Sequence, residues 1–197
     1  MNGNGHSTLW CEHLEPDRIG EHLVVSEADN LEPLLRELLS PRRVGTSSIR
    51  TWTVLERTST HPHLNENVGR ILNDALVEVT QTVHTQTVNT ESPDLSAAFA
   101  KLISAVRYHI EPDEAHKAEQ SLSNAGYLTI SLECELAQRA ADITRPTDES
   151  PEIDQATYAS RILSLSRCLA ASGRRDEALK TAQEATNLYR TLAKHNP

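Results

Sequence analysis

Residues 156–197 read ATYASRILSLSRCLAASGRRDEALKTAQEATNLYRTLAKHNP and predict two amphipathic helices joined by a tight turn. Apolar residues recur three and four positions apart in both halves, which is the spacing of a helix and not of a strand. Gly173 stands at the turn and can supply the left-handed backbone conformation that commonly ends a helix. Asp176 and Glu177 follow, where negative charge suits the first turn of a helix. The stretch therefore predicts an antiparallel helical hairpin.

The packing of this hairpin depends on large residues in one helix that fit against small residues in the other. Large apolar residues line one stripe of the first helix, and alanines let the second helix approach it closely. The predicted structural positions are Leu165, Leu169, Gly173, Ala178, Ala182 and Ala185.

The hairpin resembles a tetratricopeptide (TPR) unit, a repeat of about 34 residues with a Leu-Gly-x-x-Tyr segment and small residues further on. Leu165 is followed by Ser166 where glycine is usual, Leu169 replaces the tyrosine, and Ala182 replaces an aromatic residue. The second helix also continues past the usual end. These departures are similar to the long-helix repeats of multidomain regulators in bacteria, mostly actinobacteria.

The composition favours helices throughout the chain. Aromatic residues make up 4% of the sequence, and there are 7 glycines in 197 residues, so many tight turns between strands are not expected. A core of leucine, isoleucine, valine and alanine suits packed helices. We predict an all-α fold, with antiparallel helical hairpins stacked as a short TPR-like right-handed solenoid.

Three regions are predicted along the chain. Residues 1–8 are expected to be a disordered N-terminus, residues 9–110 a helical linker bundle, and residues 111–197 TPR-like repeats, of which the best covers 153–197. The segment 137–143 echoes the segment 182–188, which predicts a weaker first repeat. Residues 79–90 stay open between two structures: threonine and valine favour a strand, whereas Val79 and Val83 continue a helical stripe.

A short motif near the N-terminus resembles a segment of the signal-transduction ATPases of the STAND class. In those proteins it follows the nucleotide-binding core and precedes a helical linker and TPR repeats. The matching residues are Pro16, Asp17, Ile19, Gly20, Glu21 and Leu23. The chain has no G-x-x-x-x-G-K-[ST] loop for binding ATP phosphates. The resemblance therefore implies the linker-plus-TPR portion of an actinobacterial STAND ATPase, without its nucleotide-binding core.

Charge and targeting signals exclude several classes of partner. The net charge is −9, so we expect no nucleic acid, which requires a clustered basic surface. The first residues lack the basic and apolar regions of a signal peptide, and no apolar run approaches the ~18 residues of a membrane helix. We predict a cytoplasmic protein without a membrane partner.

The residues that usually carry chemistry form no recognisable site. Cys11, Cys134 and Cys168 lie far apart and include no CxxC pair, so neither a zinc site nor a disulfide is indicated. Cys134 stands between Glu133 and Glu135, whose negative charge should raise the pKa of its thiol and make it a poor nucleophile. We predict no catalysis, no cofactor and no metal.

The remaining candidate site is the concave surface that the first helices of such repeats form. Candidates for contact with a protein or peptide partner are Gln155, Tyr158 and Arg161, with Ser160 and Ser166 beside them. We predict a non-catalytic protein–protein interaction module of a bacterial signalling or regulatory system. The alternative is a truncated structural fragment of a larger STAND ATPase with no binding role of its own. The partner and the oligomeric state stay open.

Overall fold

The computed structural model of the chain describes residues 31–39, 49–59, 62–122, 126–142 and 152–195. The disordered N-terminus predicted for residues 1–8 and the motif at Pro16–Leu23 lie outside these ranges. Every regular element within them is a helix, which confirms the all-α class.

Eight α-helices and two short 3₁₀ helices make up the described ranges. The α-helices are α1 (Leu31–Leu38), α2 (Ile49–Thr58), α3 (Pro62–Asn89), α4 (Asp94–Val106), α5 (Pro112–Ser121), α6 (Ile130–Ala141), α7 (Glu152–Ala171) and α8 (Arg175–His195). The 3₁₀ helices are Arg107–His109 and Tyr127–Thr129.

The open question about residues 79–90 is answered in favour of helix, because α3 continues to Asn89. Val79 and Val83 are fully buried, so the apolar stripe outweighs the strand propensity of the threonines. Thr82 and Thr85 donate their hydroxyls to the carbonyls one turn earlier, each at 2.8 Å. Such bonds satisfy the hydroxyls inside the helix itself.

A first hydrophobic core lies among the helices α1 to α6. Trp52 of α2 is fully buried and meets Phe99 of α4 edge-on, with the ring centroids 5.1 Å apart. Trp52 is therefore a central residue of this core. This core continues through Ala115 and Ala118 of α5, so the packing has no break at residue 110, where the sequence placed a boundary.

Helix α6 belongs to two cores at once. Leu132, Leu136 and Ala140 face the first core, whereas Cys134, Ala137 and Ala141 face a second one formed with α7 and α8. Opposite faces of a helix that are both apolar bury it on two sides. The terminal hairpin is thus joined to the rest of the fold through α6.

The hairpin of α7 and α8 forms as the sequence predicts. Gly173 has a φ of +84°, its N–H donates to Ala170 (3.1 Å), and the N–H of Arg174 donates to Leu169 (2.9 Å). These two bonds are those of a Schellman motif, which pairs the last carbonyls of a helix. Ala178 and Ala185 are buried against α7, and Ala182 is half-buried.

Candidate functional site

The last three helices leave a groove between them that encloses about 440 Å³. Helix α6 supplies one wall, α7 the floor and α8 the other wall. The residues that line it are Gln138, Ala141, Asp142, Tyr158, Ile162, Leu165, Leu169, Glu177, Lys180, Thr181 and Glu184.

The floor of the groove is apolar because of the spacing of four residues in α7. Tyr158, Ile162, Leu165 and Leu169 recur at intervals of four, three and four, so they share one face of the helix. All four belong to the second core, and their outer surfaces line the groove. The same side chains therefore hold the hairpin together, and at 3% to 7% exposure they leave only a narrow apolar strip in the groove.

The rim of the groove is acidic. It carries three carboxylates, on Asp142, Glu177 and Glu184, and one amine, on Lys180. The hydroxyl of Tyr158 donates to Glu184 across the groove at 3.2 Å. An excess of one sign of charge in a concave surface attracts groups of the opposite sign, and here the carboxylates outnumber the amine by three to one. The electrostatics of this site favour a cation.

Two of the rim carboxylates are held by arginines outside the groove. Arg174 donates two hydrogen bonds to Glu177, at 2.7 and 2.5 Å, and this pairing lowers the pKa of Glu177 below its ordinary value. Arg107 lies 3.3 Å from Asp142. The carboxylate of Glu177, which accepts two charge-assisted hydrogen bonds, therefore keeps its negative form and its position.

The predicted contact residues of α7 lie in different places. Tyr158 lines the groove, whereas Gln155 is half-buried one turn before it and Ser160 is exposed. Ser166 is buried and donates to its own helix at Leu163 (2.8 Å). Whether Gln155 and Tyr158 contact a partner stays a prediction.

Arg161 lies inside the molecule and not in the groove. Its guanidinium donates to the carboxylate of Asp113 in α5 and, at 3.3 Å, to the carbonyl of Ala140. The side chain is 8% exposed. It therefore contacts its own chain on the side of α7 that faces α5.

The rim residues of α8 were not among the residues predicted from the sequence. Glu177, Lys180 and Glu184 are spaced three and four apart, so they share one face of α8. That periodicity is visible in the sequence. Their position opposite Tyr158 depends on the packing of α8 against α7, which no local pattern contains.

Among the described residues, no three His, Cys, Asp or Glu side chains lie close enough together to hold a metal ion. None of the helices in these ranges has the length and apolarity that a membrane crossing requires. Comparison of the chain with known protein families, curated proteins and solved structures found no match.

Proposed function

We propose that the chain is a non-catalytic protein–protein interaction module whose groove between α6, α7 and α8 binds a peptide segment of a partner. The observation that carries the proposal is the combination of an apolar floor with an acidic rim. Binding sites commonly join apolar area to a few oriented polar groups. The occupant that fits is a segment with an apolar centre and flanking lysine or arginine residues.

The length of the floor limits the size of the segment. Tyr158 and Leu169 are eleven residues apart on α7, which corresponds to about 16 Å of helix. An extended peptide spans that distance with about five residues, at roughly 3.3 Å each. So small an interface belongs to the weak and transient class, and we expect affinities on the order of micromolar.

Three wider expectations belong to the same proposal. The hairpin with its Schellman turn and small residues at Ala178 and Ala185 supports a TPR-like right-handed solenoid. The resemblance to the linker-plus-TPR portion of STAND ATPases supports a role in bacterial signalling or regulation. A cytoplasmic location is proposed with it.

The experiment selects peptides and then blocks the groove. Random 12-residue peptides displayed on phage are selected against the whole chain, and the selected peptides are synthesised with a fluorescent label for anisotropy titrations. Thr181→Arg places a long cation at the mouth of the groove and should weaken binding of the selected peptides by roughly tenfold or more, because it fills the site and repels basic residues.

A matched control lies on the same helix. Thr186 is exposed outside the groove, and its hydroxyl donates to the carbonyl one turn earlier at 2.8 Å, as does that of Thr181. Thr186→Arg therefore changes charge and helix propensity equally and should leave binding unchanged. The proposal fails if the selected peptides are acidic, or if both variants bind them equally well.

The alternative function is that of a structural fragment of a larger STAND ATPase. It is favoured by two large apolar side chains on α8 that stay exposed among the described residues: Leu179 is 61% and Tyr189 40% exposed. Light scattering and a thermal melt test this alternative. Self-association and a broad melt would favour a fragment, whereas a monomer with a cooperative melt would contradict it.

A further inference from the structure

One face of α8 carries a regular stripe of exposed and half-buried side chains, and none of them lines the groove. Its two large apolar members are Leu179, which is 61% exposed, and Tyr189, which is 40% exposed. Neighbouring members are alternately four and three residues apart, which is the spacing of the contact positions of a coiled coil. This α8 stripe consists of Arg175, Leu179, Ala182, Thr186, Tyr189 and Ala193.

The spacing of the α8 stripe is the same in both directions from position 184. Two copies of the stripe that run antiparallel are therefore in register along their whole length. Leu179 of one copy then lies opposite Tyr189 of the other, and Ala182 lies opposite Thr186 near the centre. The small central side chains let the two helices approach, and the large ones cover each other on both sides of the centre.

Two charged residues on one flank of the stripe decide which direction the second copy takes. Asp176 and Arg190 are exposed, and neither pairs with another described residue. In the antiparallel arrangement Asp176 of each copy comes beside Arg190 of the other, so the two-fold axis generates two ion pairs. A parallel arrangement would put each of these charges level with its own copy. Charges that flank a helical contact set the orientation of the partner in this way.

We propose that two copies of the chain form an antiparallel two-fold dimer through their α8 stripes. Helix α8 has 21 residues and is about 30 Å long, so the contact is one helix wide. Such a contact belongs to the small, weak class of interfaces, with a dissociation constant on the order of 10–100 µM. The groove stays open in the dimer, because the stripe and the groove share no residue.

Sedimentation velocity of the whole chain tests the dimer, at concentrations from about 5 to about 500 µM. The buffer contains a reducing agent, so that Cys11 cannot link two copies. We expect the mass to rise from one chain of 21.8 kDa to two chains and no further. A single chain at every concentration would overturn the proposal. So would a mass that passes two chains, since that is the open-ended stacking of a repeat fragment.

Exchange of the two flanking charges tests the pairing itself. Asp176→Arg alone brings two arginines together on each side of the dimer, and Arg190→Asp alone brings two aspartates together. Each variant should therefore dimerise roughly tenfold or more weakly than the unchanged chain.

A mixture of the two variants restores an opposite charge at both contacts. It should form a one-to-one heterodimer with close to the original affinity, which damage to the fold of either variant would not produce. The pairing is contradicted if the mixture stays monomeric, or if each variant alone dimerises as well as the unchanged chain.

Two threonine variants separate this dimer from peptide binding in the groove. Thr186→Arg puts a charge at the centre of the stripe and should weaken the dimer by roughly tenfold or more, while the groove is left intact. Thr181→Arg changes the groove and not the stripe, so it should leave the dimer unchanged. Equal dimerisation of the two variants would rule out the α8 stripe as the interface, whatever the peptide titrations show.

Discussion

Arg161 of α7 donates a hydrogen bond to Asp113 of α5 and so connects the terminal hairpin to the first core. The pair is asymmetric, because the arginine side chain is 8% exposed and the aspartate 75%. A second bond from Arg161 reaches the carbonyl of Ala140 in α6 at 3.3 Å. One guanidinium thus contacts the two helices that precede the hairpin.

Loss of this arginine should reduce stability without affecting the groove. Arg161→Met keeps much of the apolar stem but leaves Ala140 without its donor, which should cost about 1–2 kcal/mol in the free energy of unfolding. Asp113 is then left in water, so no charge is buried without a partner. Arg167 is exposed on the same helix, and Arg167→Met should change urea denaturation by less than about 0.5 kcal/mol. Equal effects of the two substitutions would contradict the assigned role.

The turn between α7 and α8 depends on the left-handed conformation of Gly173. Gly173→Ala should destabilise the chain by about 1–2 kcal/mol, because a Cβ disfavours a φ of +84°. Gly126 is the control: its φ is −73°, and an added Cβ would meet no atom within 4 Å. Gly126→Ala should leave stability unchanged or increase it by up to about 1 kcal/mol. Thermal and urea denaturation of both variants measure the difference.

Helix α3 buries two threonine hydroxyls that have no hydrogen-bond partner among the described residues, those of Thr80 and Thr87. Thr80→Val and Thr87→Val keep the shape and the branching of the side chain and remove an unpaired polar atom. Each should stabilise the protein by about 1 kcal/mol. Thr82→Val, which removes a satisfied hydroxyl at a half-buried position, should have little effect. If Thr80→Val or Thr87→Val lowered the urea midpoint instead, the hydroxyl that was removed would have had a hydrogen-bond partner.

The stability should depend on pH through Glu133. Burial raises the pKa of Glu133 above its ordinary value of 4.5, and the charge of Glu119 adds to this, although a hydrogen bond with Cys168 opposes it. The folded state then binds the proton more strongly than the unfolded state, so stability falls as the pH rises above the ordinary value. Glu133→Gln should raise the urea midpoint at about pH 7 and lose that advantage at about pH 4.

Glu177 serves as a control, because its pKa is shifted in the opposite direction to that of Glu133. Its pKa is lowered by the hydrogen bonds from Arg174, so its contribution is present above its ordinary pKa and is lost in acid. Glu177→Gln should therefore lower the urea midpoint at neutral pH and have no effect in acid. If Glu133→Gln and Glu177→Gln changed the urea midpoint at neutral pH in the same direction, the environments of the two carboxylates would not differ as their contacts indicate.

The helices could be predicted from the sequence because their signals are local. The stripe Tyr158–Leu169, the glycine at 173 and the proline at 112 each act within one or two turns of chain, and the helices begin and end close to where these residues place them. Segment 79–90 was open because strand propensity and helical stripe disagree there. Burial of Val79 and Val83 against other helices decided it.

The acidic rim required the tertiary structure. Glu184 faces Tyr158 only because α8 packs back against α7. The tertiary structure likewise places Arg161, which was predicted from the sequence to contact a partner, against Asp113. Outside residues 79–90, the sequence alone determined where the helices lie and which face of each is apolar, since both follow from the helical period. The tertiary structure decided which polar groups meet, because distances between helices depend on packing that no local pattern records.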